Sequence, residues 1–267
     1  MGAVAYLFSD YIKNLAASAI SITSEDSNYP ETNLQNEQVA LCTRTTAKAA
    51  IKFRFDLGSA KALQAFFIGN HNFSGGTFDI NSYTAADYVT GKTTVETKTV
   101  RLLDVYHYES VAPAARQYWE FDFSSCTSAD SFFEIGRIMA YDGSNPVQLT
   151  FSPDYITRRG YGYRNIVNET AAGVRWVHKL AERRERFGLS WNERLAQTAT
   201  TEVRTLYEAV YGDAHPFVYI PDITATACYY VYIESPEMLY QEIYGVGSSS
   251  HAGGVTLNLI EAVRGKV

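Results

Sequence analysis

The chain has 267 residues, 46% hydrophobic and 19% charged, enough apolar material for one large or two medium cores, which excludes disorder as the main state. A formal net charge of −6 argues against a nucleic-acid binder, which needs a basic face to neutralise phosphates. With 20 Tyr and 14 Phe against 3 Met, the aromatic bias favours pleated sheet over a helix bundle.

No run approaches the roughly 18 apolar residues of a membrane span. The start, Met1 to Asp10, lacks the basic region and long apolar stretch of a secretion signal. Cys42, Cys126 and Cys228 are an odd number, far apart, and read as buried small hydrophobes in a chain made in a reducing cytoplasm.

Along the chain, Ile51 to Leu57 alternates apolar and polar residues and stops at Gly58, the pattern of a half-buried strand. Ala62 to Ile68 is a buried strand closed by Gly69-Asn70. Ser74-Gly75-Gly76 predicts a turn before a strand over Thr77 to Ser82. Val100 to Tyr108, Tyr118 to Phe123 and Phe132 to Tyr141 complete a series of short strands without a long helix, hence an antiparallel sandwich or barrel. Asp142-Gly143-Ser144-Asn145-Pro146 stacks turn formers and marks the boundary between a domain over 1–145 and one over 146–267.

In the second domain, Thr201 to Tyr211 places Val203, Leu206, Tyr207, Val210 and Tyr211 on one helical stripe, with Thr200 as its start cap and Gly212 at its end. Strands are expected over Val174 to Leu180, Arg186 to Trp191, Phe217 to Ile220, Tyr229 to Ile233 and Val255 to Val263. The fold class expected is mainly β: an N-terminal antiparallel β-sandwich and a C-terminal α+β domain in which a sheet carries one amphipathic helix.

The order of three motifs, Asn33-Leu34-Gln35-Asn36, Asp56-Leu57-Gly58 and Ala115-Arg116-Gln117-Tyr118-Trp119-Glu120-Phe121, resembles the discoidin-type, galactose-binding-like jelly roll over roughly residues 15 to 141. Phe67-Ile68-Gly69-Asn70-His71-Asn72-Phe73-Ser74 looks like a variant of that fold in tailed-phage virion proteins. A hairpin over Val174 to Trp191, one helix and Pro216 to Asp222 are similar to modules of phage distal tail proteins. The resemblance implies a non-enzymatic structural component of a phage tail tip or baseplate. It would be made in the host cytoplasm, assemble as a homo-oligomeric ring such as a hexamer, and hold neighbouring tail proteins. A carbohydrate-binding module for host-surface glycans is the alternative, and a hydrolase with acids converging in a cleft is a third class.

Asn70, His71 and Asn72 form a candidate ligand or partner loop, because amides flanking an imidazole offer donors and acceptors, although a turn tip explains them as well. Tyr155 to Asn165, with Arg158, Arg159, Tyr161, Tyr163 and Arg164, combines residue types that interfaces enrich and is a candidate arm to a neighbouring subunit, or else an ordinary surface loop. The mixed charges from Lys179 to Arg186 read as a solvated hairpin tip or as inter-subunit ion pairs. The five histidines show no metal-ligand spacing, no nucleophile elbow is present, and no cofactor is expected. Asp122 and Glu134 are candidates for acid chemistry only as any two acids are.

Overall fold

The computed structural model describes residues 5–7, 10–38, 40–48, 51–100, 104–108, 112–142, 146–148, 153, 158–162, 165–169, 175–179, 184–191, 196–223, 226–234, 240–244 and 250–262. In chain order the strands of the first half are β1 (Ala5–Leu7), β2 (Ile20–Ile22), β3 (Thr43–Arg44), β4 (Lys52–Lys61), β5 (Leu63–His71), β6 (Phe73–Tyr83), β7 (Thr93–Thr99), β8 (Val105–Tyr108), β9 (Arg116–Asp122), β10 (Cys126–Ser128), β11 (Glu134–Asp142) and β12 (Pro146–Gln148). The second half holds β13 (Arg158–Gly162), β14 (Asn165–Glu169), β15 (Arg175–Lys179), β16 (Arg184–Trp191), helix α1 (Ala196–Ala209), β17 (Phe217–Ile220), β18 (Tyr229–Ile233), β19 (Tyr240–Tyr244) and β20 (Ser250–Glu261). The chain divides into two compact units, one taking in Met1–Gln148 and Val218–Tyr229, the other Leu149–Phe217 and Tyr230–Val263.

The first unit is an antiparallel β-sandwich. One sheet runs β10-β6-β9-β4-β2, with β7 also on β6, and the other runs β3-β11-β5-β8. Alternation fixes which side chains meet between them. Phe53 and Phe55 of β4 are buried while Lys52, Arg54 and Asp56 are half exposed, so the apolar set faces inward. There they join Trp119, Phe121, Phe78 and Ile80 against Phe66, Ile68, Ile138 and Ala140. Phe66 stands 5.6 Å from Trp119 and 5.4 Å from Phe121. Burial of one such ring stabilises the fold by about 2–3 kcal/mol.

The second sheet is buried on both faces: Glu134 to Tyr141 of β11 are all inaccessible, as are Phe66 and Phe67 of β5. Its outer side is covered by the N-terminal segment and by the returning stretch 218–229. Arg137 of β11 donates to Asp10 at 2.9 Å with both side chains almost wholly buried, and Asp10 also accepts from the Ile12 and Ala140 amides. The Tyr106 hydroxyl donates to the carbonyls of Asp222 (3.2 Å) and Ile223 (3.3 Å), and Cys228 Sγ to that of Asp104. β1 pairs with β12 on one side and β17 on the other, and Tyr6 stacks on Tyr219 at 5.8 Å.

In the second unit the sheet order is β18-β20-β16-β13, with β19 also on β20, and β14 and β15 form a separate hairpin. Helix α1 packs on β20 and buries Val203, Leu206 and Val210. Arg186, in the mixed-charge run, pairs with Glu234 at 2.8 Å.

Several local expectations change. Gly75 and Gly76 lie inside β6, where Gly76 takes a φ of 96° and an added Cβ would stand 2.2 Å from the Ser125 carbonyl. Close approach to a neighbouring strand, not a chain reversal, is what these glycines serve. The expected hairpin over Val174 to Trp191 is not formed: β15 pairs with β14, while β16 pairs with β13 and β20. Helix α1 begins at Ala196, so Thr200 lies within it. Tyr211 is 76% exposed because the chain turns left-handed at Tyr211 (φ 53°) and Gly212 (φ 72°), which takes it off the apolar stripe.

Candidate functional site

Asn70, His71 and Asn72 sit where β5 turns into β6. Asn70 takes a φ of 52°, a left-handed conformation that asparagine tolerates better than most residues. Its amide donates to Asp104 Oδ1 at 3.0 Å and its Nδ2 to Cys42 Sγ at 3.4 Å. Asn72 accepts from the Glu134 amide at 2.8 Å and donates to Asp130 Oδ2 (3.0 Å) and the Phe132 carbonyl (3.1 Å). Both side chains thus hold the turn to its neighbours. His71 is half buried, stacks on Phe73 at 4.7 Å, and accepts the Phe73 amide at Nδ1.

Next to this turn, Glu134 binds Arg44 through Nε (2.7 Å) and Nη2. The Arg44 guanidinium lies between two rings, 4.0 Å from the centre of Tyr29 and 4.2 Å from that of Phe132. β3 supplies Arg44 and is pinned to the preceding loop, since Arg44 N–H donates to the Tyr29 carbonyl and Thr43 Oγ1 to that of Pro30. Tyr29 is 37% and Leu41 43% exposed, so this end of the sandwich offers an aromatic ring and an apolar side chain beside a fixed cation. The sequence motif Leu41-Cys42-Thr43-Arg44 carried no signal for it, because Tyr29, Arg44 and Phe132 meet only through tertiary pairing.

Of the proposed arm, Arg158, Arg159 and Tyr161 lie on β13, paired to β16 from Arg158↔Gly188 to Gly162↔Arg184. Their side chains lie outside the described structure, and so do Tyr163 and Arg164 altogether.

A second cluster occupies the outward face of the six-stranded sheet. Across β4, β9 and β6 the register sets Asp56 beside Tyr118 beside Tyr83, and Arg54 beside Glu120 beside Asn81. Glu120 is wholly buried although it points away from the core. It accepts from Arg54 Nε (2.8 Å), the Tyr83 hydroxyl (2.7 Å), Asn81 Nδ2 (3.4 Å) and Lys52 Nζ (3.4 Å), and Lys52 also pairs with Asp122 at 2.9 Å. Burial alone would raise the Glu120 carboxyl, but the bonds from Arg54 and Tyr83 and the charge of Lys52 hold it below its ordinary value. Tyr88, from the loop after β6, lies over Arg54 at 4.8 Å and edge-on to Tyr83 (5.5 Å) and Tyr118 (6.0 Å). Burial, then the Asp56 charge, pushes its hydroxyl up to about 12.

Asp122 and Glu134 belong to different sheets and are engaged by Lys52 and Arg44, so they do not converge. The three cysteines are free thiols, and burial pushes Cys42 up to about 11 and Cys126 to about 12, away from nucleophilic chemistry. Among the described residues no group of three or more His, Cys, Asp and Glu side chains is placed to hold a metal ion, and no helix is long and apolar enough to cross a membrane.

No protein-family model and no curated protein matches the chain. Solved structures are similar to about half of it. The family 32 carbohydrate-binding module of NanJ from Clostridium perfringens, in complex with galactose, is 13% identical, with 52% of this chain and 99% of that one covered at a TM-score of 0.41. A fucose-binding module from Streptococcus pneumoniae is 16% identical, covering 51% and 96% at 0.39. The lectin domain of lectinolysin, complexed with Lewis B antigen, is 13% identical, covering 51% and 97% at 0.39. Likeness of this degree carries no ligand or activity with it.

Proposed function

We propose that the first unit is a non-catalytic carbohydrate-binding module whose ligand docks at the end of the sandwich formed by Tyr29, Leu41, Arg44 and His71. The observation that carries this reading is the clamped Arg44. A guanidinium held between two rings and tied to Glu134 loses little freedom when it meets a hydroxyl pair, and the exposed Tyr29 offers an apolar surface for the C–H face of a pyranose. Galactose, fucose and Lewis antigens are the first probes to use. On a glycan array followed by titration calorimetry, Tyr29→Ala and His71→Ala are expected to weaken binding tenfold or more without lowering the melting temperature. Unchanged affinity in both variants would remove the site.

The sequence resemblance to phage tail proteins supports a second reading, in which the chain is a virion tail component that joins copies of itself and neighbouring tail proteins. The observation favouring it is that β13 is the last strand of its sheet among the described residues, with one backbone edge available for pairing. Replacing Arg158, Arg159, Tyr161, Tyr163 and Arg164 with Ala should convert rings or smaller oligomers to monomers in sedimentation. A profile identical to that of the parent chain would count against the arm.

A further inference from the structure

We propose that the outer face of the six-stranded sheet, around Tyr88 and Tyr118, is a second saccharide-binding surface, and that its ligand is a neutral, polyhydroxylated sugar chain. It stands apart from the loop end: Asn72 precedes β6 and Tyr83 closes it, and the eleven residues of that strand span roughly 30 Å.

The surface is held ready by parts that the ligand need not touch. Glu120, fully buried beneath it, fixes Arg54 through Nε. Residues 84–92 fold back on themselves: the Thr90 carbonyl accepts from the amide (3.2 Å) and hydroxyl (3.1 Å) of Thr84, while Asp87 accepts from the amides of Val89 and Thr90 (both 2.9 Å) and the Thr90 hydroxyl (2.6 Å). That stitching carries Tyr88, in a left-handed conformation with φ of 53°, back over the sheet. A non-glycine residue in that region is an outlier that its surroundings must enforce.

What remains unspent defines the ligand. Among the described residues, Arg54 Nη1 and Nη2, Asp56 Oδ2, Gln117 Oε1 and the Tyr88 and Tyr118 hydroxyls make no hydrogen bond within the protein, although Asp56 Oδ1 is occupied by Gln117 Nε2 (2.7 Å) and the Gly58 amide (2.8 Å). Donors and acceptors of this kind, interleaved with two partly exposed rings, match a sugar, whose hydroxyls both donate and accept and whose ring C–H faces are apolar. Charge selects the neutral class. Lys52 and Arg54 are offset by Glu120 and Asp122, Asp56 adds one negative charge, and the chain carries −6, so a uronate, sialate or sulfate meets no attractive field.

The test uses the full chain carrying Tyr29→Ala, which silences the loop end, titrated with neutral cello-, xylo-, manno- and galacto-oligosaccharides and with oligogalacturonate and oligosialate. Binding of at least one neutral oligosaccharide is expected, weakened tenfold or more by adding Tyr88→Ala or Tyr118→Ala. Tyr88 is a loop residue, so its variant guards against loss of fold, and unchanged melting confirms this. Absence of neutral-sugar binding to the Tyr29→Ala chain, indifference to both tyrosine variants, or preference for the acidic oligosaccharides would overturn the proposal. Loss of all binding with Tyr29→Ala alone leaves the loop-end reading standing and removes this one, whereas binding insensitive to Tyr29→Ala but lost with Tyr88→Ala does the reverse.

Discussion

His107 lies on β8 at the edge of the core, 4% exposed and stacked 6.2 Å from Phe66. Burial, then the charge of Lys98, pushes its imidazole down from 6.5 to about 4. The folded protein therefore resists protonation at a pH where the unfolded chain accepts it, and stability should fall by on the order of 3 kcal/mol as pH drops from about 6.5 to about 4. Urea midpoints measured across that window should show the fall in the parent and a much shallower one in His107→Phe; equal slopes would exclude His107 as its source. Below the ordinary carboxylate range, Glu120 and Asp122 add a further loss. Both are held lower in the folded state despite burial, so their contribution is present above the unfolded carboxylate values and disappears as pH falls through the folded ones. The charges of Lys52, Arg54 and Asp56 were visible in the sequence as the polar positions of an alternating strand. Their partners were not, because Glu120 sits 66 residues from Arg54 and only the register of β4 on β9 brings them together.

At the scale of elements, period explains what could be read. The alternation at Ile51 to Leu57 and the continuous apolar runs at Phe66 to Ile68 and Ile135 to Tyr141 distinguish a strand buried on one face from strands buried on two, and β4, β5 and β11 follow that distinction. Glycine was ambiguous: the same Gly75-Gly76 pair marks a turn in one context and a close approach between strands in another. Gly76→Ala should cost about 3 kcal/mol or more, since it combines a left-handed φ with a carbonyl 2.2 Å from the new carbon. Thermal melts test this, and a variant as stable as the parent would mean that β10 can move away from β6. β13 and β14 escaped the sequence reading because their charged and glycine-containing stretches look like loop, and pairing with β16 and β15, respectively, supplies what propensity lacks.

For the molecule as a whole, the stretch 218–229 returns to the first unit after the chain has entered the second. A fragment ending at Gln148 would lose β17 and the residues bonded to Tyr106 and Asp104, and would uncover a sheet face on which Phe67 and Tyr141 are fully buried. It should bind a hydrophobic dye and aggregate. Gln148 and Val218 lie on strands either side of β1, roughly 12 Å apart by strand spacing and stagger, so a linker of about five residues could join 1–148 to 218–229. That joined chain should melt cooperatively, and a cooperative melt of the short fragment would show the returning stretch to be dispensable.

That return also sets an order of events during synthesis. A ribosome that has emitted the first 148 residues has released a sheet whose second cover is still to be translated, and closure must wait until residue 229 has cleared the exit tunnel. The early half must therefore stay soluble with an apolar flank bare for the time needed to make some eighty more residues, roughly 4–16 s at about 5–20 residues per second. Through that interval a nascent-chain chaperone would find its binding surface on the outer side of β5 and β11.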